Sequence, residues 1–320
     1  MGVFAARFGQ YKQFNWKFEM SRKHPTFVEK QFQTAEELWL ALSPTHKLRA
    51  GSDQFNYRGQ GDSRWLLVPT ILRPRNQPPI VSYEQMVNAS QMVFAEINIL
   101  KRFVKHCDAV GIPIPNDSQS FRNSVISTDV SEKYYNEPSL WPNPEVLDLM
   151  AMAQHHGVPT RLLDWTTRAY TAAYFAASSA LARFNDWSWG ERLCVWAMDE
   201  KALKFHDKII LHRSPGSISR HLAAQGGLFS VHPHTGSRGE AFSVTSLETH
   251  QNDIPYSAFI KLTLPVYESA ELLRLCSIAG FDAATIYPTA DGAGRAVIDD
   301  MNRDGAKKRW NDRGHGTLVR

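Results

Sequence analysis

Two periods of apolar residues alternate along this chain. Apolar residues at every third or fourth position predict helices, and short apolar or alternating runs predict strands. The predicted helices are Thr34–Leu42, Tyr83–His106, Val146–His156, Arg168–Phe184, Ile218–Ala224, Tyr267–Ala279 and a segment that follows Asp291-Gly292. The predicted strands are Phe55–Gln60, Trp65–Pro69, Leu193–Met198, Leu228–His232, Phe259–Leu264 and Ala283–Pro288. This mixture predicts an α+β fold with a mixed sheet core and flanking helices.

Local signals set the bounds of several elements. Thr34 followed three residues later by Glu37 is typical of a capping box at a helix start. Gly157, with Pro159 just beyond it, indicates the end of a helix. We expect Thr160–Asp164 to form a loop that leads into the next helix. The polar, proline-containing stretch Pro113–Pro144 is expected to be irregular.

The length of the chain allows one large domain or two smaller ones. With 320 residues and 43% hydrophobic content, it can bury a sizeable core. We divide it into an N-terminal helical extension (1–50), a main catalytic or binding domain (51–300) with an irregular insert near 113–144, and a basic tail (301–320).

Composition narrows the class of protein. The longest apolar run, near Tyr170–Leu181, is too short and too weakly hydrophobic to cross a bilayer, so we expect no membrane association. The N-terminus has no apolar leader segment, and the three cysteines are too far apart for a disulfide framework or a zinc ribbon. A cytoplasmic setting fits best. The net charge of +4 permits an anionic partner such as RNA or a nucleotide without requiring one.

The most informative segment runs from Met150 to Ala177, where polar side chains are crowded among residues suited to burial. Buried polar groups need partners, and dense clusters of them often bind or react. Arg161 and Arg168 flank a predicted helix start that would favour a phosphate-bearing ligand. Asp164 and Thr166 could instead serve only as caps of that helix.

A second candidate is Arg58, which lies in the predicted strand Phe55–Gln60 beside Gly59. The planar guanidinium suits a phosphate or a carboxylate, and the glycine leaves the backbone open to a close ligand. The alternative is that Arg58 only pairs with an acidic group such as Asp164.

The remaining candidates are weaker. Adjacent His155 and His156 on a helix point about 100 degrees apart, and His232-x-His234 has no companion ligands, so we expect no metal site. His156 could hydrogen-bond a ligand or complement the helix dipole. Gln225, before two glycines, could orient a ligand or close a turn. The aromatic residues that could stack on a ligand or belong to the core are Trp165, Tyr170 and Tyr174.

Together these motifs resemble the FRG domain, a family named for a Phe-Arg-Gly motif in which Tyr57 here replaces the phenylalanine. The resemblance spans Phe55 to Val297. It rests on Tyr57–Gln60, Ala153–Thr166, Ala172–Ala176, Gln225–Phe229 and Ile286–Pro288 with Asp291-Gly292. The His-Gly-x-Pro-Thr-Arg-Leu-Leu-Asp-Trp-Thr block is its most specific part.

The resemblance implies a bacterial or phage-associated toxin or defence protein. Its strand arginine is similar to that of NAD-dependent ADP-ribosyltransferases. This implies that Arg58 binds the phosphates of NAD and that Thr160–Thr167 lines the nicotinamide side of the pocket. The implied NAD-binding residues are Arg58, Gly59, His156, Thr160, Arg161 and Thr166. The target would be a nucleic acid or a protein, and an antitoxin partner is implied.

Catalysis of this kind needs a carboxylate or an amide near the ribose. The chain lacks a late Glu-x-Glu or Gln-x-Glu strand, so Gln225, Glu240 and Asp164 are the candidates for that role. The implied catalytic set is Arg58, Asp164 and Gln225.

Two other classes of function remain open. One is a nuclease or another nucleotide-processing enzyme, in which His156, Asp164 and Arg161 do acid–base and phosphate work. The other is a module that binds a nucleotide or RNA through Arg58 and Arg161 without chemistry. We expect Arg58 and Asp164 to converge on one site, with Gln225 within reach.

Overall fold

A computed structural model of the chain describes residues 27–49, 54–73, 88–123, 128–188, 190–203, 209–216, 225–234, 236–242, 244–249 and 258–312. Its centre is a seven-stranded sheet in the order β1-β7-β4-β2-β3-β6-β5. The strands are β1 Val28–Gln31, β2 Phe55–Gln60, β3 Leu162–Thr166, β4 Arg192–Asp199, β5 Ile210–His212, β6 Gly227–Val231 and β7 Phe259–Pro265. Strands β1 and β7 pair in parallel and the other neighbours pair antiparallel, so the predicted α+β fold with a mixed sheet is confirmed.

Helices connect several of the strands, and three more follow the last strand, β7. They are α1 Ala35–Leu42, α2 Ala89–Ala109, α3 Gln119–Phe121, α4 Thr128–Asn136, α5 Leu147–His155, α6 Ala169–Leu181, α7 Glu200–Leu203, α8 Ser269–Ile278, α9 Ala283–Ile286 and α10 Ala290–Asp312. The predicted capping box of α1 is present, with Thr34 and Glu37 each bonding the other's backbone. None of the described helices combines the length and apolar character needed to cross a membrane.

Two separate helical layers cover one face of the sheet. Tyr57 of β2 and Val195 of β4 belong to a core with α1, α6 and α8. Leu162 of β3 and Phe229 of β6 belong to a second core with α2 and α5. Since successive strand residues point to opposite faces, these four side chains share one face through the β2–β3, β2–β4 and β3–β6 registers. Strand β3 therefore lies where the two layers meet.

Irregular segments cover part of the opposite face. Trp165, Trp196 and Phe259 pack there with Leu67 and Leu247. The predicted strand Trp65–Pro69 is wrong, because Leu67 bonds irregularly: its N–H donates to the Glu248 carboxylate at 3.1 Å and its carbonyl accepts from Leu247 N–H at 2.9 Å.

Two other local predictions are also wrong. The expected loop Thr160–Asp164 becomes mostly strand β3, because Leu162, Leu163 and Trp165 are buried on both faces of the sheet. The expected strand Ala283–Pro288 is instead the short helix α9. Its start is fixed by a capping box between Asp282 and Thr285, which prevails over the strand propensity of the apolar run.

The predicted segments of the chain contain more regular structure than the sequence indicates. Residues 1–50 include β1 and α1, which join the sheet and the core. The insert near 113–144, expected to be irregular, contains helices α3 and α4. Helix α10 runs on into the basic tail as far as Asp312. The predicted helix Ile218–Ala224 and the predicted start of α2 at Tyr83 lie outside the described residues; α2 begins at Ala89 with Asn88 as its cap.

A buried ion pair joins the residue that precedes β3 to helix α2. Arg161, 1% exposed, donates to both carboxylate oxygens of Glu96, with Nε at 2.7 Å, and its Nη1 donates to the His232 carbonyl at 3.1 Å. The indole of Trp141 donates to the same carboxylate at 2.9 Å. The charges are thus fully enclosed but also fully hydrogen-bonded, which makes the pair costly to break.

Replacing Arg161 with Ala is expected to lower the free energy of unfolding by about 3–5 kcal/mol, because it leaves the Glu96 carboxylate buried without its cation. Urea unfolding measures this. The exposed Arg102 on the same helix as Glu96 gives the matched control, and Arg102→Ala should change stability by less than about 0.5 kcal/mol. Similar losses for the two variants would contradict the assignment.

Gly59 permits the closest approach between helix and sheet. A Cβ atom at this position would lie 2.0 Å from the Ala172 carbonyl oxygen and 2.6 Å from the Ala176 nitrogen, both backbone atoms of α6. Neither atom can move without shifting the helix. The sequence predicts that Gly59 leaves the backbone open to a ligand, and the structure shows instead that α6 occupies that space.

Replacing Gly59 with Ala is therefore expected to cost about 2–3 kcal/mol through overpacking. Gly294, inside α10, has open space where the methyl group of an alanine would lie, with no atom within 4 Å, so Gly294→Ala should stabilise by roughly 0.5–1 kcal/mol through helix propensity. Thermal unfolding measures the change in stability of both variants. An unchanged stability of Gly59→Ala would contradict the tight contact between β2 and α6.

Candidate functional site

Strands β2 and β3 separate after a single pair, and Arg58 lies at the separation. Strand β2 pairs with β4 from Phe55 to Gln60, whereas it pairs with β3 only where Tyr57 faces Thr166. Arg58 Nη1 donates to the backbone carbonyl of Asp164 at 2.8 Å. The Arg58 side chain thus provides the Asp164 carbonyl with the hydrogen bond that a backbone N–H of β2 would donate if the two strands stayed paired.

Arg58 and Asp164 converge, as expected from the sequence. Arg58 Nη1 lies 3.6 Å from Asp164 Oδ2, with the arginine side chain 15% exposed and the aspartate side chain 64% exposed. Arg58 Nε is buried and has no hydrogen-bond partner in the described part of the chain. Burial lowers the pKa of Arg58, and the charge of Asp164 opposes that shift. The guanidinium therefore retains hydrogen-bonding capacity that these residues do not use.

Gln154 orients the Asp164 carboxylate from the other side. Its Nε2 donates to Asp164 Oδ1 at 2.8 Å, and its Oε1 accepts from the Thr160 hydroxyl. Thr160 Oγ1 in turn accepts from Leu162 N–H at 3.1 Å, which fixes the direction of the whole chain of bonds. Gln154 belongs to the polar cluster of the sequence, but it is not one of the predicted site residues. The feature that could have identified it is its position as a polar residue in the last helical turn before Gly157.

The position of β3 explains why Asp164 stays accessible. Asp164 faces the same side of the sheet as Leu162, which the α2–α5 layer covers, and as Tyr57, which the α6 layer covers. Neither layer covers Asp164 itself, and its side chain is 64% exposed. This places an exposed anion beside a cation that has an unused hydrogen-bond donor.

Gln225 lies beside the end of β3, near Thr166. The Thr166 hydroxyl donates to the Gln225 carbonyl at 2.5 Å and accepts from Arg168 N–H at 3.0 Å. Gln225 is half-buried. The structure thus places the Gln225 backbone beside Thr166, two residues from Asp164. Asp164 does not cap the next helix, because it belongs to β3 and the N-cap of α6 is Arg168. Thr166 also belongs to β3, but its hydroxyl accepts from the backbone N–H of that N-cap residue, as the capping alternative expected.

Other predicted residues lie elsewhere or have other partners. Arg161 is enclosed in its ion pair with Glu96 and offers no face to a ligand. His156 is exposed at the end of α5 and stacks on Phe103, with ring centroids 6.4 Å apart. The described contacts of Glu240 are with the Ser237 turn and the start of α2. Neither Arg161 nor Glu240 reaches the Arg58–Asp164 pair.

The aromatic candidates serve packing. The Trp165 indole donates to Ser230 Oγ at 2.9 Å, and the Tyr174 hydroxyl donates to Asp299 at 2.7 Å. Tyr170 stacks on Trp39 with centroids 3.9 Å apart. These rings are committed to the core and the helix contacts.

The histidines near β6 are not grouped as metal ligands. Within the described residues, no group of three or more His, Cys, Asp and Glu side chains could hold a metal ion. The ring nitrogens of His234 are both buried without a hydrogen-bond partner there. Burial, helped by the charge of Arg161, lowers the pKa of His234 to about 2. His234 is therefore a buried neutral imidazole.

This predicts acid sensitivity. The pKa of His234 is lower in the folded state than in the unfolded state. Below about pH 6.5 the unfolded chain therefore binds a proton at this residue that the folded chain does not, and the free energy of unfolding falls as the pH drops. The slope contributed by one proton is at most about 1.4 kcal/mol per pH unit. His234→Gln should flatten the decline of unfolding free energy between about pH 6.5 and 4.5, whereas the exposed His106→Gln should not. Equal slopes in the two variants would contradict this.

Comparison with known proteins adds one finding. A family model described as FRG domain matches residues 53–184, which include Arg58, Gln154 and Asp164. The resemblance to the FRG domain predicted from the motifs is thereby confirmed over residues 53–184, a shorter range than Phe55–Val297, since Gln225 and the late motifs fall outside the match. No curated protein and no solved structure matches the chain.

Proposed function

We propose that this chain, whose residues 53–184 match the FRG domain model, is an NAD-dependent ADP-ribosyltransferase whose site is the Arg58–Asp164 pair. The observation that carries the proposal is the buried Nε of Arg58, unpartnered among the described residues, next to an exposed carboxylate. We place the protein among bacterial or phage-associated toxins and defence proteins that act in the cytoplasm, with an antitoxin as a partner.

Arg58 would hold the diphosphate of NAD. A guanidinium binds phosphate oxygens through parallel N–H groups, and Nε is one of the two donors that such a bidentate contact uses. Within the described part of the chain, Nη1 is the Arg58 nitrogen that bonds the protein. The strand fixes the arginine backbone, and Asp164 holds the guanidinium in place, so little conformational freedom would be lost on binding.

Asp164 would act at the ribose. When the bond between the ribose carbon and nicotinamide breaks, nicotinamide leaves with the electron pair and positive charge develops on the sugar. A fixed carboxylate stabilises that charge. Gln154 fixes Oδ1 of Asp164, and the rest of the carboxylate remains exposed. The acceptor then forms the new bond to the ribose carbon and releases its proton. The acceptor that we propose is a nucleic acid or a protein.

The structure offers less to the nuclease alternative. That hypothesis needs His156, Asp164 and Arg161 at one site, and Arg161 is enclosed by Glu96 while His156 stacks on Phe103. A module that binds a nucleotide without chemistry requires only Arg58 and is an outcome of the test below.

Incubation with NAD labelled in its adenosine part is expected to give nicotinamide release and label transfer to a macromolecule. Arg58→Gln should lower this signal at least about tenfold, since a charged hydrogen bond to phosphate is lost. Asp164→Asn, which keeps the size and the bond from Gln154's side, should reduce turnover far more than NAD affinity. Arg102→Gln removes an exposed positive charge outside the site and should leave the rate unchanged.

NAD binding without nicotinamide release would favour the binding module. Cleavage of RNA in the absence of NAD would favour the nuclease. Digestion of the labelled product with protease or nuclease identifies the class of acceptor, and growth on induction of the wild type against Arg58→Gln reports toxicity.

A further inference from the structure

A second arginine, Arg295 of α10, has no carboxylate partner among the described residues. It lies in the second turn of the helix and is exposed. Its guanidinium carbon lies 4.7 Å from the ring centroid of Tyr287, within the range of a cation–π contact. The ring therefore holds this cation in place without neutralising it.

Helix α10 is fixed to α6 close to Arg295. Asp299, one turn further along α10, accepts from the Tyr174 hydroxyl at 2.7 Å and from Ser178 Oγ at 2.6 Å, both on α6. Two bonds to a buried carboxylate define the position of α10 along α6. Since residues four apart share a helix face, Arg295 projects at the same α6–α10 boundary.

Tyr287 connects this boundary to the candidate site. Its ring meets Phe175 of α6 edge-on, with centroids 6.3 Å apart. Phe175 precedes Ala176, whose backbone nitrogen presses on Gly59, the neighbour of Arg58. Burial raises the pKa of the Tyr287 hydroxyl, Arg295 opposes the shift, and the charges of Asp164 and Asp299 add to it. Tyr287 thus lies within electrostatic range of Asp164 and stays protonated at neutral pH.

We infer that Arg295, held on the Tyr287 ring, is a second anion-binding group of this site, so that the site takes a ligand with two linked phosphates. Arg58 binds one phosphate on the β3 side of Asp164, and Arg295 binds the other on the α6 side. The pairing rests on the proposed function, and it assigns the substrate class as a nucleoside diphosphate or a diphosphate-bridged dinucleotide. A single phosphate would use only one of the two cations.

The test compares NAD, ADP and AMP as calorimetric probes. The wild type should bind ADP at least about tenfold more tightly than AMP, since one additional charged contact is worth about that factor. In Arg295→Gln the ADP and AMP affinities should become similar, with AMP binding unchanged. Tyr287→Leu should act in the same direction by releasing the guanidinium, and Tyr287→Phe should keep the wild-type preference.

Lys308→Gln is the matched control, because it removes one exposed positive charge from the same helix. Equal losses of ADP affinity in Lys308→Gln and Arg295→Gln would overturn the inference in favour of general electrostatic attraction. If Arg58→Gln abolishes ADP binding while Arg295→Gln leaves it unchanged, the second subsite is refuted and the proposed function stands. If the wild type binds neither NAD nor ADP, the proposed function and this inference both fail.

Discussion

The candidate site depends on one interruption of regular hydrogen bonding, where β2 leaves β3 after the Tyr57–Thr166 pair. An interrupted ladder leaves backbone groups that must find other partners. Arg58 supplies one, donating to the Asp164 carbonyl from a position where its remaining donors are only partly used. The same interruption lets Arg58, which lies on the opposite face of the sheet from Asp164, reach the Asp164 carbonyl and come within 3.6 Å of its exposed carboxylate. A substitution that restored backbone pairing between β2 and β3 at this point would give the Asp164 carbonyl a backbone partner in place of Arg58.

Two constraints hold this interruption open. On one side, Gly59 lets the α6 backbone press directly on β2, which leaves no room for a side chain there. On the other side, the Glu96–Arg161 pair attaches α2 to the residue that precedes β3. The first contact is steric and depends on shape, and the second is ionic and depends on hydrogen bonds to every nitrogen of the Arg161 guanidinium. The first holds β2 against α6, and the second holds the start of β3 against α2, so each of the two separating strands is attached to a different helical layer.

Much of the fold could be predicted from local pattern, and less of the site could. Periodicity and capping predict α1, α5 and most strands, because these signals lie within a few residues of each other. Local pattern predicts a loop in place of β3 because Thr160–Asp164 follows a glycine and a proline, and the burial of this strand on both faces depends on helices distant in sequence. The convergence of Arg58 and Asp164 could be predicted from their chemistry. The enclosure of Arg161 could not, because its partner Glu96 carries no mark in the sequence that separates it from an exposed helix residue.

The contrast between Arg58 and Arg161 shows which arginine is available to a ligand. Both belong to the motif blocks of the family, and sequence alone gives them similar weight. In the structure, all three nitrogens of the Arg161 guanidinium donate to Glu96 or to the His232 carbonyl, so the cost of burial is offset within the protein. Arg58 is mostly buried as well, yet its Nε finds no partner among the described residues, and Nη1 makes its bond to the Asp164 carbonyl. A buried donor without a partner is costly unless something else bonds it, and an anionic ligand is the group that we propose for this donor. The completeness of its hydrogen bonds gives Arg161 a structural role, and the unused donor of Arg58 is the reason why we propose recognition for that residue.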